Sequence, residues 1–167
     1  LAADPTASQA AGQLWYNSSS GKFKISAAGT GAWASGGEVN TSRSEPGGAG
    51  TQGAGLIFGG EPPNTGKTEK YDGTTWTEVN DLLTVRFGPG GGGTQTAAMC
   101  FGGQPTPSVT DSSETWDGTS WTEVTAFTSG RTNAATGGTQ DSCLVMGGTQ
   151  VPAHLGFVEE YNGTSWS

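Results

Sequence analysis

Few side chains in this sequence are equipped for chemistry, and their surroundings decide what they can do. His154 is the single histidine. A histidine acts as general acid or base when a nucleophile or an orienting carboxylate stands beside it. His154 lies in a polar loop, 149–157, and no nucleophile-elbow pattern occurs in the chain. It therefore reads as a solvated loop residue. Cys100 and Cys143 are the two cysteines. They form no Cys/His cluster with metal-ligand spacing. Both fall in apolar runs, two and four residues before a Gly pair. They read as buried free thiols, with a disulfide as the lesser alternative. Gly88 to Gly93 lacks the Lys-Ser/Thr that completes a phosphate loop. The Asp-Gly turns lack the ligand spacing of a calcium hand. No catalytic residue, metal ligand or cofactor site is expected, and the chain reads as a non-enzyme.

Three arginines carry a different message. Arg43, Arg86 and Arg131 recur in one phase with three glutamates, Glu69, Glu114 and Glu159. A ligand site has no need of the same arginine three times. The expected role is structural: hydrogen bonds to carbonyls, or to the phased glutamates across a boundary between repeats. Glu160 is then only an exposed neighbour of Glu159.

The elements that must position these residues are repeats. Phe58-Gly59-Gly60 precedes Tyr71-Asp72-Gly73-Thr74-Thr75-Trp76; Phe101-Gly102-Gly103 precedes Trp116-Asp117-Gly118-Thr119-Ser120-Trp121; Met146-Gly147-Gly148 precedes Tyr161-Asn162-Gly163-Thr164-Ser165-Trp166. Trp33 anchors the series, and Gly-Thr-Gln triplets at Gly50, Gly93 and Gly138 keep the same phase. The period is about 44 residues, the mark of a tandem-repeat architecture. Three repeats follow: 33–75, 76–120 and 121–167. Each predicts about four short strands in a meander. A run of small residues after the Arg suits a crowded inner strand. An apolar strand then ends at the Gly pair, a variable loop follows, and an aromatic hairpin closes the unit. Asp-Gly and Asn-Gly predict a two-residue hairpin turn with both central residues at positive φ. Ahead of the repeats, residues 1–12 read as an extended arm. Leu14–Asn17 and Lys22–Ile25 flank a Ser/Gly turn, as a hairpin does.

Composition narrows the function classes. Glycine supplies 30 of 167 residues, which alone could mean low complexity. The phased aromatics oppose disorder and leave an all-β fold rich in turns. Acidic residues outnumber basic ones 15 to 7 and no basic run exists, so nucleic-acid binding has no electrostatic footprint. No apolar stretch approaches the ~18 residues of a membrane span, so no membrane insertion is expected.

The Gly pairs, the Tyr/Trp pairs and the phased arginines resemble those of kelch repeats. The resemblance covers 33–167 and implies β-propeller blades. Four residues separate Tyr71 from Trp76, fewer than is usual in that family, which marks a divergent branch. The Gly-Thr-Gln and Tyr-Asp-Gly-Thr-Xaa-Trp motifs resemble structural proteins of tailed bacteriophages, notably marine ones. Gly12-Gln13-Leu14-Trp15-Tyr16-Asn17 with Gly21-Lys22-Phe23-Lys24 is similar to a short module of phage tail and fibre proteins. Together these imply a virion structural or tail-fibre protein, located in the particle and used for assembly and host attachment. Its implied partners are copies of itself, other virion proteins, and a host-surface glycan or protein. A secreted bacterial adhesin or surface protein is the alternative. A fragment of a propeller enzyme acting on carbohydrate, or of a copper radical oxidase, is the second; that oxidase needs paired His and Tyr ligands, and one histidine does not meet the need. Three units do not close a propeller ring of four to eight blades. Further units are expected from more chain or from a second copy, unless the units stack along a fibre. Recognition is expected in the variable loops, through Pro62, Asn64, Pro105, Thr106, Ser108, Val151 and His154. Plain connectors are the competing reading of those loops.

Overall fold

The computed structural model describes residues 14–17, 22–25, 35–150 and 152–167. Among them there is no helix, and every paired strand is antiparallel. The chain forms two compact units, Leu1–Ser35 and Gly36–Ser167. In the first, β1 (Leu14–Asn17) pairs β2 (Lys22–Ile25) with Tyr16 opposite Phe23. This is the expected hairpin. The arm 1–12, the turn 18–21 and Trp33 lie outside the described residues.

The second unit contains three sheets of one design. β3 (Gly47–Thr51), β4 (Ala54–Phe58), β5 (Thr68–Tyr71) and β6 (Trp76–Val79) form a meander, each strand beside the next. β7 (Gly90–Gly93), β8 (Ala98–Phe101), β9 (Ser113–Trp116) and β10 (Trp121–Val124) repeat it. β11 (Ala135–Thr139) and β12 (Ser142–Met146) begin the third sheet. β13 (Thr149–Gln150) and β14 (Ala153–His154) make a small separate hairpin within a stretch expected to be irregular. β15 (Val158–Tyr161) then pairs with β12, and a single bridge between Tyr161 and Trp166 holds the fourth position. Each sheet is offset from the sequence period: Trp76 opposes Tyr71 across one hairpin, so it completes a sheet and does not begin the next.

The hairpin turn differs from the two-residue turn its sequence predicts. With Tyr71 opposite Trp76, four residues, 72–75, form the loop. Gly73 has φ 95°, while Asp72 is not at positive φ. Asp72 Oδ1 accepts the N–H groups of Thr74 and Thr75, both at 2.8 Å. Asp117 does the same for Thr119 and Ser120, and Asn162 for Thr164 and Ser165. A side-chain acceptor thus replaces the backbone geometry of a tight turn.

The sheets meet most closely at their first strands. β7 lies against β3 and β11 lies against β7, while β11 does not pack on β3; the three sheets splay from a shared line without closing on themselves. Small residues are required along that line. A Cβ on Gly91 would stand 2.4 Å from the Gly48 carbonyl oxygen. Thr136 Oγ1 donates to the Gly91 carbonyl at 2.8 Å across the next junction.

Two apolar layers fill the gaps between sheets. Leu56, Phe58 and Leu82 meet Ala98, Cys100, Trp116 and Trp121. Met99, Phe101 and Phe127 meet Cys143, Val145, Tyr161 and Trp166. Phe58 packs edge-on to Trp121 at 4.9 Å, and Phe101 edge-on to Trp166 at 5.3 Å. Each such side chain adds about 1.5–3 kcal/mol by leaving water. The indoles keep their N–H groups bonded: Trp121 Nε1 donates to Thr68 Oγ1 at 3.0 Å and Trp166 Nε1 to the Thr125 carbonyl at 3.1 Å. Both cysteines are buried and unpaired with each other, as expected. Cys143 Sγ lies 3.4 Å from Met99 Sδ.

Candidate functional site

Each variable loop leaves its sheet through a Gly pair at positive φ: Gly59 and Gly60 at 68° and 111°, Gly102 and Gly103 at 64° and 89°, Gly147 and Gly148 at 62° and 100°. The space there is as demanding as the angle. A Cβ on Gly59 or Gly102 would sit 2.6 or 2.5 Å from the carbonyl oxygen of Arg86 or Arg131. The loops then close at their necks by matching bonds. Thr65 N–H donates to the Gly60 carbonyl at 3.0 Å, Thr110 to Gly103 at 2.9 Å and Leu155 to Gly148 at 2.9 Å.

The phased arginines brace these necks. Arg86 Nη1 donates to the carbonyls of Gly102 (2.9 Å) and Ser112 (3.1 Å), the two sides of one neck. Its Nη2 meets Glu114 Oε1 at 2.5 Å. Arg43 does the same with Gly59, Lys67 and Glu69, and Arg131 with Gly147, Phe157 and Glu159. The carboxylates in turn accept backbone N–H groups of the connector before each Arg. Asn40 and Thr41 serve Glu69, Leu83 and Thr84 serve Glu114, and Thr128 serves Glu159. Burial pulls the Arg131 guanidinium below its ordinary pKa.

The expectation that Arg and Glu pair across a boundary between sheets needs correction. Arg43, Arg86 and Arg131 each pair with a glutamate of the sheet that follows them in the chain. The boundary is crossed by the main chain instead. The Arg86 carbonyl accepts from Gly60 N–H at 2.9 Å, and the Arg131 carbonyl accepts from Gly103 N–H at 2.8 Å. One residue therefore fastens its own sheet with its side chain and the preceding sheet with its backbone.

Above the necks the loops differ. Asn64 Nδ2 donates to Thr106 Oγ1 at 2.9 Å and to the Gln104 carbonyl at 3.3 Å, so the first two loops touch. Gln104 Nε2 donates to the Pro107 carbonyl at 3.4 Å. Pro62, Thr106 and Ser108 are exposed, and Pro105 is half-buried. His154 is exposed on β14, its Nδ1 3.3 Å from Thr149 Oγ1 in the same hairpin. Val151 lies outside the described residues. The structure thus brings Asn64 and Thr106 together and gives His154 no hydrogen bond to either. Phe157, at the foot of the third loop, stacks on the Arg131 guanidinium at 4.4 Å and stays 44% exposed.

This surface offers amide, hydroxyl and carbonyl groups, suited to hydrogen bonding with polar ligands. Among the described residues no cluster of three or more His, Cys, Asp or Glu could hold a metal ion. Burial pushes the Cys100 thiol up to about 12 and the Cys143 thiol up to about 11, which keeps both protonated and unreactive. Sequence reasoning assigned the Gly-Thr-Gln triplets to turns and missed their glutamines. Gln95 Nε2 reaches back to the Gly55 carbonyl at 3.0 Å, and Gln140 Nε2 to Ala98 at 3.0 Å and Trp116 at 2.7 Å. The recurrence of Gln beside Gly-Thr at one period was the available signal.

No protein-family model matches the sequence, and no curated protein matches it. A solved structure titled "Structure of YjhT" is similar in fold. It superposes with a TM-score of 0.64 at 14% identity, over 88% of this chain and 48% of that one. The chain thus spans about half the length of that protein, and the likeness is one of fold.

Proposed function

We propose that this chain is a non-enzymatic structural component of a tailed-bacteriophage particle, of the tail-fibre kind, whose three sheets are kelch-like β-propeller blades. The blades serve assembly, and the loops behind the Gly pairs contact the host surface, a glycan or a protein. The observation that carries this reading is the contrast between neck and tip. Every neck is built from the same Gly pair, the same Arg and the same Glu. Every tip has its own sequence and, in the third loop, its own hairpin. Variable loops on a rigid frame are the usual place for recognition. The ionisable groups buried in the frame are already engaged in holding it together. The repeat motifs and the β1–β2 segment, which resemble phage structural proteins, supply the particle setting.

Peptide mass spectrometry and immunogold labelling of purified particles test the proposal. The chain is expected in the particles at the copy number of a structural protein, with label on the tail or fibres. Its absence from intact particles would sink the reading.

A further inference from the structure

Two faces of the second unit differ from their counterparts elsewhere in it. On the third sheet Leu144, Met146 and Val158 share one face, with Met146 directly opposite Val158. The equivalent residues of the second sheet, Met99 and Phe101, are buried because the third sheet covers them. Leu144 and Val158 are 36% and 50% exposed. On the first sheet the opposite face carries Gly55, Ile57, Tyr71 and Trp76, all half-buried. Their counterparts Ala98, Cys100, Trp116 and Trp121 are fully buried against the first sheet. The chain therefore holds both halves of a junction that it already makes twice internally.

Polar groups repeat the pattern in the same register. Gln95 and Gln140 each reach back to two carbonyls of the preceding sheet. Gln52 is the equivalent residue on the first sheet, and it is exposed. The carbonyls equivalent to its expected acceptors belong to Cys143 and Tyr161. Both residues border a depression of about 350 Å³ with Gly137, Ser142 and Leu144. A main-chain ladder runs alongside: Gly88 N–H donates to the Glu45 carbonyl at 2.8 Å, and Asn133 N–H to the Gly88 carbonyl at 2.9 Å. Its direction leaves the Glu45 N–H at one end and the Asn133 carbonyl at the other.

We infer that the Leu144–Met146–Val158 face docks the Gly55–Ile57–Tyr71–Trp76 face of a second copy of this chain, with Gln52 of that copy seated in the depression. The occupant is a second copy because this chain displays the matching face, in the register of its two internal junctions. Each copy offers one face of each kind, so two copies satisfy one another in a closed pair. Covering both faces removes an apolar sheet surface from water. This surface is distinct from the loop tips, and the inference stands whether or not the chain belongs to a phage particle.

Native mass spectrometry and sedimentation equilibrium of the full chain test it. The expected mass is two copies. Leu144→Glu with Val158→Glu alters only exposed positions, so near-UV circular dichroism is expected to stay that of the folded protein. The dissociation constant of the pair is expected to rise at least about a hundredfold, and about tenfold for Gln52→Ala. A single-copy mass for the unaltered chain would overturn the inference, as would a pair that survives the double substitution. An intact natural polypeptide whose own further repeats cover this face would overturn it in favour of closure within one chain.

Discussion

Three buried Arg–Glu pairs are the residues on which most of the surrounding contacts converge. Arg86 and Glu114 are almost wholly removed from solvent, and each is saturated by backbone partners as well as by the other. Removing one member leaves a buried charge without its counterion, which costs about 3–5 kcal/mol. Arg86→Ala or Glu114→Gln is therefore expected to lower unfolding free energy by that amount in urea titrations, and to speed amide exchange at the 104–112 neck. The hairpin aspartates act on a different pH scale. The N–H of Thr75, then that of Thr74, holds the Asp72 carboxyl below its usual pKa, and Ser120 and Thr119 do so for Asp117. The ionised form is favoured in the folded state. The stabilisation is complete above the unfolded value of about 3.9 and is lost as pH falls through the depressed folded value. Asn162 accepts the same two bonds without a titrating group. Replacing Asp72 and Asp117 with Asn is expected to flatten the fall of Tm below about pH 4, measured by thermal scans across pH. An unchanged acid limb would contradict this assignment.

At the scale of the element, the first strand of each sheet is limited by its neighbour. Gly91→Ala would place a methyl group against the Gly48 carbonyl and the Phe58 ring, at 2.4 and 2.8 Å. A loss of about 1–3 kcal/mol is expected, as for other overpacked sites. Gly137, equally small and on the equivalent strand, has nothing within 4 Å of a built Cβ. Gly137→Ala is expected to be neutral or slightly stabilising in the same chemical-denaturation assay. The contrast separates glycines the packing requires from those it does not. The strands were legible because their apolar runs end at Gly pairs and their aromatics share one phase. The turn form was less so, because Asp-Gly serves a two-residue turn and a side-chain-capped four-residue loop equally well. β13–β14 left no signal either: Thr149–Gln150 and Ala153–His154 are too short and too polar to show alternation. The arginines were legible as structural from their period, but which sheet each one fastens depends on strand offset, which the period does not encode.

For the whole molecule, three sheets sharing a line of small residues form a frame, and the variable loops leave that frame at equivalent points. The loops were visible in the sequence as the segments that break the repeat. The contact of Asn64 with Thr106 was not, because it joins residues 42 positions apart on neighbouring sheets. If the tips are the recognition surface, altering them changes binding and leaves the frame intact. The most direct measurement is the binding of the full chain to intact host cells, compared with an Asn64→Ala, Thr106→Ala, His154→Ala variant. The account predicts saturable binding that weakens at least about tenfold in the variant, with Tm shifted by no more than a few degrees. Equal binding by both proteins, or no binding by the unaltered chain, would contradict it.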